Sequence, residues 1–512
     1  MQLRQLHVNS VRTLQSRAMK TRERNTKYNK INWKKAEKHI HKIQLRITKA
    51  VKDLKHNLAK RLQHLLANSF YAKAVAVRKV SSQNKGKNTP GIDGITWTNN
   101  YDKAKAIDTL NNTKYKAKPL KRIYIDKPGK STKRKLSIPT MYDRAMQALY
   151  QMTLEPIAEM TADKTSFGFR TYRSTHDAME YTFKVLSQKT SAQWILEGDI
   201  KSCFDDINHD WIIKNIPMNK KILTKFIKTG YLEKKTLYPT KSGVGQGSPI
   251  APTIANMTLD GIEDEIAKSY WSNKKGTINK KKQNNQRINY IRYCDDFVIT
   301  ANSKEILEEI QNKIEFFLLE RGLILSREKT KITHIKEGFD FLGWNFRKYD
   351  NNKLIIKPSK SSINQITNKI STIIKINKTT TQKELITKLN KTIRGWCNYH
   401  QPVCAKRTFA RLNNTIYNML WKWAKRRHSN KSKKWITSKY WKKKGNRNWN
   451  FESEGKTLYN PSDTPIVRTS FPKLLKNIFI DKEYFLERQN KQKKKRQISY
   501  IKTTAAQLKL SY

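Results

Sequence analysis

Residues 290–300 read Tyr-Ile-Arg-Tyr-Cys-Asp-Asp-Phe-Val-Ile-Thr, so two adjacent aspartates stand between runs of aromatic and β-branched side chains. Such runs on both sides of a short polar centre predict a β-hairpin with Asp295 and Asp296 beside its turn. An isolated Asp-Asp pair is most often a surface turn. Within an apolar β pattern, however, two carboxylates are costly to bury unless a cation accompanies them. The stretch therefore predicts a metal-binding hairpin.

A third carboxylate stands near the end of another apolar stretch, because residues 194–200 predict a buried strand that finishes at Asp199. In template-directed nucleotide addition, a 3′ hydroxyl attacks the α-phosphate of a nucleotide while two metal ions hold the attacking and leaving oxygens. Mg²⁺ is held in such sites by a few carboxylates together with substrate phosphates. We therefore predict that Asp199, Asp295 and Asp296 are catalytic and bind two Mg²⁺ ions.

The chain is strongly basic. Lysine and arginine number 105 among the 512 residues against 41 acidic residues, which gives a net charge of +64. A charge of this size destabilises a compact chain unless polyanions are nearby. Nucleic acid is the expected partner, because each neutralised phosphate releases a condensed counterion. A membrane partner is not expected, since the sequence has no apolar run of about 18 residues.

Cysteine content and residue usage bear on the compartment. Four cysteines are too few for a disulfide framework in a chain of this length, which favours a reducing environment. Residues 1–20 lack the apolar core of a secretory signal, so secretion is not expected. Frequent lysine, asparagine and isoleucine are typical of AT-rich genomes. We therefore expect an organelle of an alga or plant, the chloroplast before the mitochondrion, or the cytoplasm of a bacterium.

Hydrophobic periodicity indicates helices mixed with strands. Apolar residues three and four apart predict one long helix or a helix pair over residues 31–70. Residues 121–125 and 135–139 predict two strands joined by a Gly-Lys turn. A helix is predicted over Ile254–Ile266. Strands and helices in this order predict the α+β class.

The later sequence changes in character. Residues 271–288 predict an exposed basic insertion, and residues 303–320 predict an amphipathic helix. After about residue 357 the apolar residues between Ile363 and Trp423 keep helical spacing, which predicts a helical region with basic faces. The basic run within residues 491–512 predicts a solvated tail.

An ordered set of motifs resembles those of the reverse transcriptase/maturase proteins encoded within group II introns. Tyr293-Cys294-Asp295-Asp296 is similar to the Tyr-x-Asp-Asp motif of reverse transcriptases, with Cys294 where Ala is commoner; Cys is also small and apolar. Each motif alone is weak, and the resemblance rests on their order. The other motifs are Thr89–Gly94, Pro119–Ile125 with Lys127, Ile138–Thr140 with Asp143 and Arg144, Ser166–Arg170, Asp199–Lys201 with Phe204 and Asp205, Gly245–Pro249, Gly322–Leu323 with Ser326 and Glu328–Thr330, and Phe341–Gly343.

The resemblance implies a right-hand polymerase fold of fingers, palm and thumb, followed by a helical maturase region called domain X. The best domain break is near Lys357-Pro358. The implied segments are a basic arm (1–30), an N-terminal extension and fingers (31–140), a palm with the active site (141–357), the thumb and domain X (358–490), and a basic tail (491–512).

The resemblance also implies roles in nucleotide binding. The residues implied to bind the nucleotide are Lys127, Arg134, Phe204, Gln246 and Lys329. A ring at Phe204 would clash with a ribose 2′-hydroxyl, which implies deoxynucleotide substrates. The ordinary alternatives are a core phenylalanine and, for Lys127, Arg134 and Lys329, surface cations in a very basic chain.

Basic residues interleave with aromatic ones after residue 394, a composition that suits phosphate contacts and base stacking. We predict RNA contacts at Lys425, Arg426, Arg427 and Lys431, and core positions at Trp396, Leu412 and Leu420. A zinc site at Cys397, His400 and Cys404 is disfavoured, because no Cys-x-x-Cys pair is present. For the same reason no His-Asn-His endonuclease is expected.

The implied function is an RNA-directed DNA polymerase, a nucleotidyltransferase that copies an RNA template from a DNA primer with dNTPs. The resemblance further implies binding of the host group II intron RNA, which assists its splicing and mobility. Two alternatives stay open: a splicing-only maturase with a residual polymerase fold, and a reverse transcriptase of another lineage. Homodimer formation is also open.

Overall fold

The computed structural model describes residues 24–126, 132–273, 275–444 and 447–509. Lys127 and most of the predicted basic arm lie outside these residues. The helices are α1 (24–29), α2 (Trp33–Lys52), α3 (His56–Asn68), α4 (Phe70–Arg78), α5 (Asn100–Thr109), α6 (Met141–Thr161), α7 (Thr175–Leu186), α8 (Cys203–Asp206), α9 (His209–Asn215), α10 (Lys220–Ile227), α11 (Ala251–Leu259), α12 (Ile262–Tyr270), α13 (Lys280–Gln283), α14 (Lys304–Leu319), α15 (Lys360–Ile376), α16 (Gln382–His400), α17 (Lys406–Arg427), α18 (Lys433–Tyr440) and α19 (Lys482–Lys509).

The strands of the described residues form four small sheets, with orders β2-β1-β4-β5, β6-β7-β3-β8, β11-β10-β9 and β12-β13-β14. Their bounds are β1 (Leu120–Asp126), β2 (Lys133–Ile138), β3 (Trp194–Asp199), β4 (Tyr231–Glu233), β5 (Thr236–Tyr238), β6 (Asn289–Tyr293), β7 (Asp296–Ala301), β8 (Lys331–His334), β9 (Phe339–Phe341), β10 (Trp344–Lys348), β11 (Leu354–Pro358), β12 (Trp441–Lys444), β13 (Arg447–Ser453) and β14 (Lys456–Thr457).

The antiparallel sheet β6-β7-β3-β8, which we call the palm sheet, is shared by two hydrophobic cores. Side chains alternate between the faces of a strand. Leu196 and Ile299 on one face join a core with the helices α2 to α6, α11 and α14. Ile195 and Val298 on the other face join a core with α7 and with the helices α15 to α17. The sheet is therefore covered on both sides, and only its ends are open.

The predicted α+β class is confirmed. The two predicted strands are β1 and β2, an antiparallel pair in which Lys121 lies opposite Ile138. The helix pair predicted over residues 31–70 is α2 and α3, and the helix predicted over 303–320 is α14. Thr140 caps α6 by accepting a hydrogen bond from the backbone of Asp143. These elements follow from local periodicity and capping chemistry.

One prediction in the middle of the chain is wrong. The single helix predicted over Ile254–Ile266 is two helices, because α11 ends before Asp260 and Gly261 takes a φ of 108°, which favours glycine. The insertion predicted as exposed is mostly exposed in its described residues, but Trp271 is buried and the Lys280 ammonium lies 4.0 Å from the centre of its ring. Burial of the Lys280 ammonium lowers its pKa to about 8.

The helical region predicted after residue 357 is confirmed in α15, α16 and α17. An antiparallel sheet of β12, β13 and β14, which was not predicted, packs against α16 and α18 and contacts α17 through Tyr417 and Trp441. The boundary drawn at residue 491 falls inside α19, which runs on to Lys509. The basic run is therefore part of a helix, and its side chains are mostly exposed as far as residue 501.

Candidate active site

The palm sheet brings the three predicted acids to one end. Asp199 ends β3, and Asp296 begins β7 directly opposite it. Tyr293 pairs with Asp296, so Cys294 and Asp295 form the tight turn between β6 and β7. Cys294 has a φ of 60°, in the left-handed region that such turns use.

The acids repel one another, and a lysine partly compensates. Burial raises the pKa values of Asp295 and Asp296, and the charges of the neighbouring acids raise them further. The Lys329 Nζ lies 2.5 Å from the Asp199 Oδ2, in an ion pair whose lysine is half exposed. Burial alone would lower the pKa of Lys329, but the hydrogen bond and the charges of the acids raise it. The site therefore attracts cations.

The donor set fits a hard divalent cation, since it offers carboxylate oxygens only. The mutual repulsion of the acids is what a bound cation relieves. In the described parts of the chain, however, no group of three or more His, Cys, Asp or Glu side chains converges closely enough to hold a metal ion.

A buried polar network that the sequence did not reveal lies beneath the turn. Arg292, fully buried on β6, donates to the Asn256 Oδ1, to the Asp260 carboxylate and, at 3.4 Å, to the carbonyl of Cys294. The Asn256 Nδ2 donates in turn to the carbonyl of Gly168 at 2.7 Å. The only sequence signal was a charged residue inside an apolar strand.

Two glycines allow close packing around the acids. A Cβ on Gly168 would lie 2.3 Å from the backbone nitrogen of Cys294, so this position brings two backbones together. A Cβ on Gly198 would lie 2.1 Å from the ring of Phe297, its partner on β7. The ring therefore packs over β3 immediately before Asp199.

The predicted nucleotide-binding residues fall around this end of the sheet, apart from Lys127, which lies outside the described residues. Arg134 is exposed on β2, and its charge acts to lower the pKa of Asp295. The carbonyl of Gln246 accepts a hydrogen bond from the Ser137 backbone, which docks the glycine-rich loop on β2. Phe204, half-buried on α8, makes an edge contact with Phe169 at 6.0 Å between ring centres.

The predicted RNA contacts lie at the end of α17 and just beyond it. Lys425, Arg426 and Lys431 are exposed. The Arg427 guanidinium differs, because it donates to the carbonyls of Lys378 and Thr380 at 2.8 and 2.9 Å. Arg427 thus anchors a loop of its own chain.

The three residues weighed for a zinc site differ in their surroundings. Cys397 and His400 are buried, and the His400 Nε2 is hydrogen-bonded to the Ser362 hydroxyl at 2.9 Å. Cys404 is exposed. Trp396 is half-buried and donates to the same hydroxyl at 3.0 Å, whereas Leu412 and Leu420 are core residues.

The helix α19 packs against the segment that carries Gly168. Phe485 is buried and stacks on Tyr172, with ring centres 5.7 Å apart. The Arg173 guanidinium lies 5.2 Å from the centre of the Phe485 ring. Arg488 forms an ion pair with Asp177, whose side chain is 1% exposed. A distant part of the chain therefore supports the packing beside the active-site turn.

Comparison with known families gives three matches. The reverse transcriptase (RNA-dependent DNA polymerase) family matches residues 125–346, and the N-terminal domain of reverse transcriptase matches residues 28–110. The maturase-specific domain of group II introns matches residues 363–441. Across the described residues, no helix is long and apolar enough to cross a membrane.

Comparison with individual proteins gives further matches. The group II intron-encoded protein LtrA of Lactococcus lactis is 29% identical over 402 residues, which cover 62% of this chain and 66% of LtrA. The YkfC protein of Escherichia coli is 30% identical over 299 residues, which cover 52% of this chain and 77% of YkfC. The telomerase of Candida albicans, solved with a fragment of telomeric RNA, superposes with a TM-score of 0.35 at 14% identity, covering 63% of this chain and 65% of that chain.

A palm sheet with acids at its open end, together with the matched families, defines the reverse transcriptase class. Its N-terminal and palm segments precede a maturase-specific domain on the same chain. The chain belongs to the reverse transcriptase/maturase family encoded by group II introns. It spans 66% of the length of LtrA.

Proposed function

We propose that this protein is an RNA-directed DNA polymerase that also binds its host group II intron RNA and assists splicing and mobility. The observation that carries the polymerase function is the pairing of Asp199 with Asp296 across two strands, with Asp295 in the adjoining turn. The maturase-specific match over residues 363–441 supports the second function.

Asp199, Asp295 and Asp296 would hold two Mg²⁺ ions, which supply positive charge to the attacking 3′ hydroxyl and to the leaving pyrophosphate. In this step the 3′ hydroxyl loses its proton to water, its oxygen bonds to the α-phosphorus, and the bond to pyrophosphate breaks. Lys329 would release Asp199 to the cations and hold a phosphate oxygen of the incoming nucleotide. Its half-exposed ammonium and its position at Asp199 support this role.

Arg134 and Lys127 would hold the triphosphate, since a guanidinium offers phosphate a planar pair of donors. Gln246 would lie beside the nucleotide and template, on the loop that docks against Ser137. Phe204 would lie under the sugar and exclude a 2′-hydroxyl.

The partners proposed are a DNA primer on an RNA template, dNTPs and the intron RNA. Lys425, Arg426 and Lys431 would contact RNA phosphates, whereas Arg427 would contribute mainly by holding its loop. The proposal includes a homodimer and a chloroplast location. The location rests on residue usage alone.

Substitution of one acid tests the polymerase. We expect Asp295→Ala to lower dNTP incorporation on an RNA template on the order of 10⁴-fold, as expected when an essential catalytic group is lost. Asp350→Asn is the matched control, because Asp350 is 96% exposed and pairs only with Lys336 at 3.3 Å in the described structure. Primer extension with Mg²⁺ measures the rate, and anisotropy with labelled RNA measures affinity, which should stay nearly unchanged.

The alternative of a splicing-only maturase makes the opposite prediction. Folded wild-type protein that binds intron RNA but incorporates no dNTP would establish that alternative. Equal rates for Asp295→Ala and wild type would refute the assignment of the acids.

Sugar selection is tested at Phe204. Removal of the ring in Phe204→Ala makes room for a 2′-hydroxyl, so rNTP incorporation relative to dNTP should rise roughly 10- to 200-fold. Phe316→Ala, an exposed phenylalanine on α14, is the control. Competing dNTP and rNTP in one primer-extension reaction gives the ratio. An unchanged ratio would mean that Phe204 is a packing residue only.

A further inference from the structure

A cavity of about 350 Å³ lies between α17 and the sheet β12-β13-β14. Its inner wall is apolar, formed by Ile416, Leu420 and Phe451. The volume falls in the range of roughly 300–1,000 Å³ that is typical of small-molecule sites. None of the residues assigned above to the polymerase site or to RNA contacts lines it.

Aromatic rings form the outer wall. Tyr417 contacts Trp441 at 5.6 Å and Trp449 at 6.1 Å between ring centres, the second pair being perpendicular. Trp441 is buried, but Trp449 is 56% exposed at the mouth. A tryptophan left this open beside a cavity offers a free face for a flat ligand, because every nucleobase presents a π-face for stacking.

Two amide side chains also line the cavity. Within the described residues, Asn413 and Asn448 make no side-chain hydrogen bond. Each amide carries both a donor and an acceptor. Unpaired bases expose edges with donors and acceptors, which such amides can bind.

The surroundings carry positive charge. Lys442 and Lys443 on β12 are exposed, and the Arg394 guanidinium lies 4.9 Å from the centre of the Tyr459 ring, which lines the cavity. Arg447 is the exception, because a two-bond ion pair with Asp463 satisfies its charge. The positive charge of Lys442, Lys443 and Arg394 suits a ligand that is attached to a phosphate backbone.

We propose that this cavity binds one unpaired nucleobase of a structured RNA, stacked on the face of Trp449, with its edge toward Tyr417, and hydrogen-bonded by Asn413 and Asn448. The proposal rests on the proposed RNA-binding function and adds a place and a chemistry to it. RNA is the occupant because α17 and Trp441 lie within residues 363–441, the maturase-specific match. The site would distinguish bulged RNA from a continuous duplex.

The test compares an RNA hairpin that carries a single 2-aminopurine bulge with the same hairpin fully paired. Full-length wild type should bind the bulged RNA more tightly by roughly 5- to 150-fold, the range expected for stacking of one base. Binding should also quench the 2-aminopurine fluorescence. Trp449→Ala should abolish the preference and the quenching, and Asn448→Ala should weaken both. Phe316→Ala is the exposed aromatic control, and all variants should keep wild-type melting and primer extension.

The outcomes are distinct. Absence of binding to either RNA by wild type would refute the proposed RNA-binding function itself. Tight binding without preference for the bulge, or with full preference in folded Trp449→Ala and Asn448→Ala, would overturn the cavity assignment alone. An equal preference for the matching bulged DNA hairpin would overturn the assignment to RNA.

Discussion

Gly168 shows how one missing side chain sets the position of the turn between β6 and β7. The segment 167–173 crosses the turn so closely that a Cβ on Gly168 would lie 2.3 Å from the Cys294 nitrogen and 2.4 Å from its sulfur. Backbone atoms cannot yield as a flexible side chain can. Any residue other than glycine must therefore displace the turn that carries Asp295.

This displacement is testable with two glycines. Gly168→Ala should lower primer extension roughly 100-fold, since a misplacement of about 1 Å can cost that much in rate. Gly395→Ala is the control, because a Cβ there meets nothing within 4 Å. Gly395 is inside α16, so alanine should stabilise the chain by about 1 kcal/mol. Full activity in folded Gly168→Ala would show that the turn tolerates the shift.

The sequence located the three acids because each follows a local pattern of apolar residues and turn. It could not show the ion pair of Lys329 with Asp199, since these residues are 130 positions apart. The network of Arg292 was also hidden, because its partners come from α11 and from the bend after it. Such contacts depend on how distant segments of the chain pack together, and hydrophobic periodicity carries no information about that packing.

The junction of α11 and α12 is held by buried acids. Asp163 accepts a hydrogen bond from the Gly261 backbone at 2.9 Å and lies beside Asp260 and Arg292. Burial first, and the charge of Asp260 next, raises the pKa of Asp163 above its ordinary value. The other carboxyl oxygen of Asp163 is buried without a hydrogen-bond partner. The folded chain therefore keeps a proton that the unfolded chain releases.

This raised pKa sets the sign of a pH effect. The contribution of Asp163 to stability is complete below the ordinary aspartate pKa near 4, and it is lost as the pH rises through the raised pKa of the folded chain. Between these two pKa values the contribution of Asp163 to the free energy of unfolding should fall by up to about 1.4 kcal/mol per pH unit, and the melting temperature should fall with it. Asp163→Asn should flatten the profile, whereas Asp350→Asn should not. An equal slope in Asp163→Asn would exclude Asp163 as the source.

Elements with a regular pattern were predictable, and those fixed by packing were not. The hairpins β1-β2 and β6-β7 were expected from alternating apolar residues and turn residues. The sheet β12-β13-β14 was missed because its strands are rich in lysine and asparagine. Packing against α17, rather than propensity, gives these strands their place.

The charge of the whole molecule determines how it binds nucleic acid. A net charge of +64 means that much of the affinity for RNA comes from release of counterions. Affinity should fall roughly 10³- to 10⁵-fold between about 50 and about 200 mM salt if roughly six to ten phosphates are contacted. Anisotropy across a potassium chloride series measures this. A dissociation constant that does not change with salt would rule out phosphate contacts as the main source of affinity.

The ion pair between Arg488 and Asp177 joins residues 311 positions apart. Ribosomes add about 5–20 residues per second, so roughly 15–60 s separate the synthesis of these two partners. The three aspartates are translated within that interval, and 189 positions separate Asp296 from Phe485, which packs on Tyr172. A nascent chain therefore carries all three acids for roughly 9–38 s without the support of α19. The order of translation separates, in time, the making of the active site from the completion of the packing beside it.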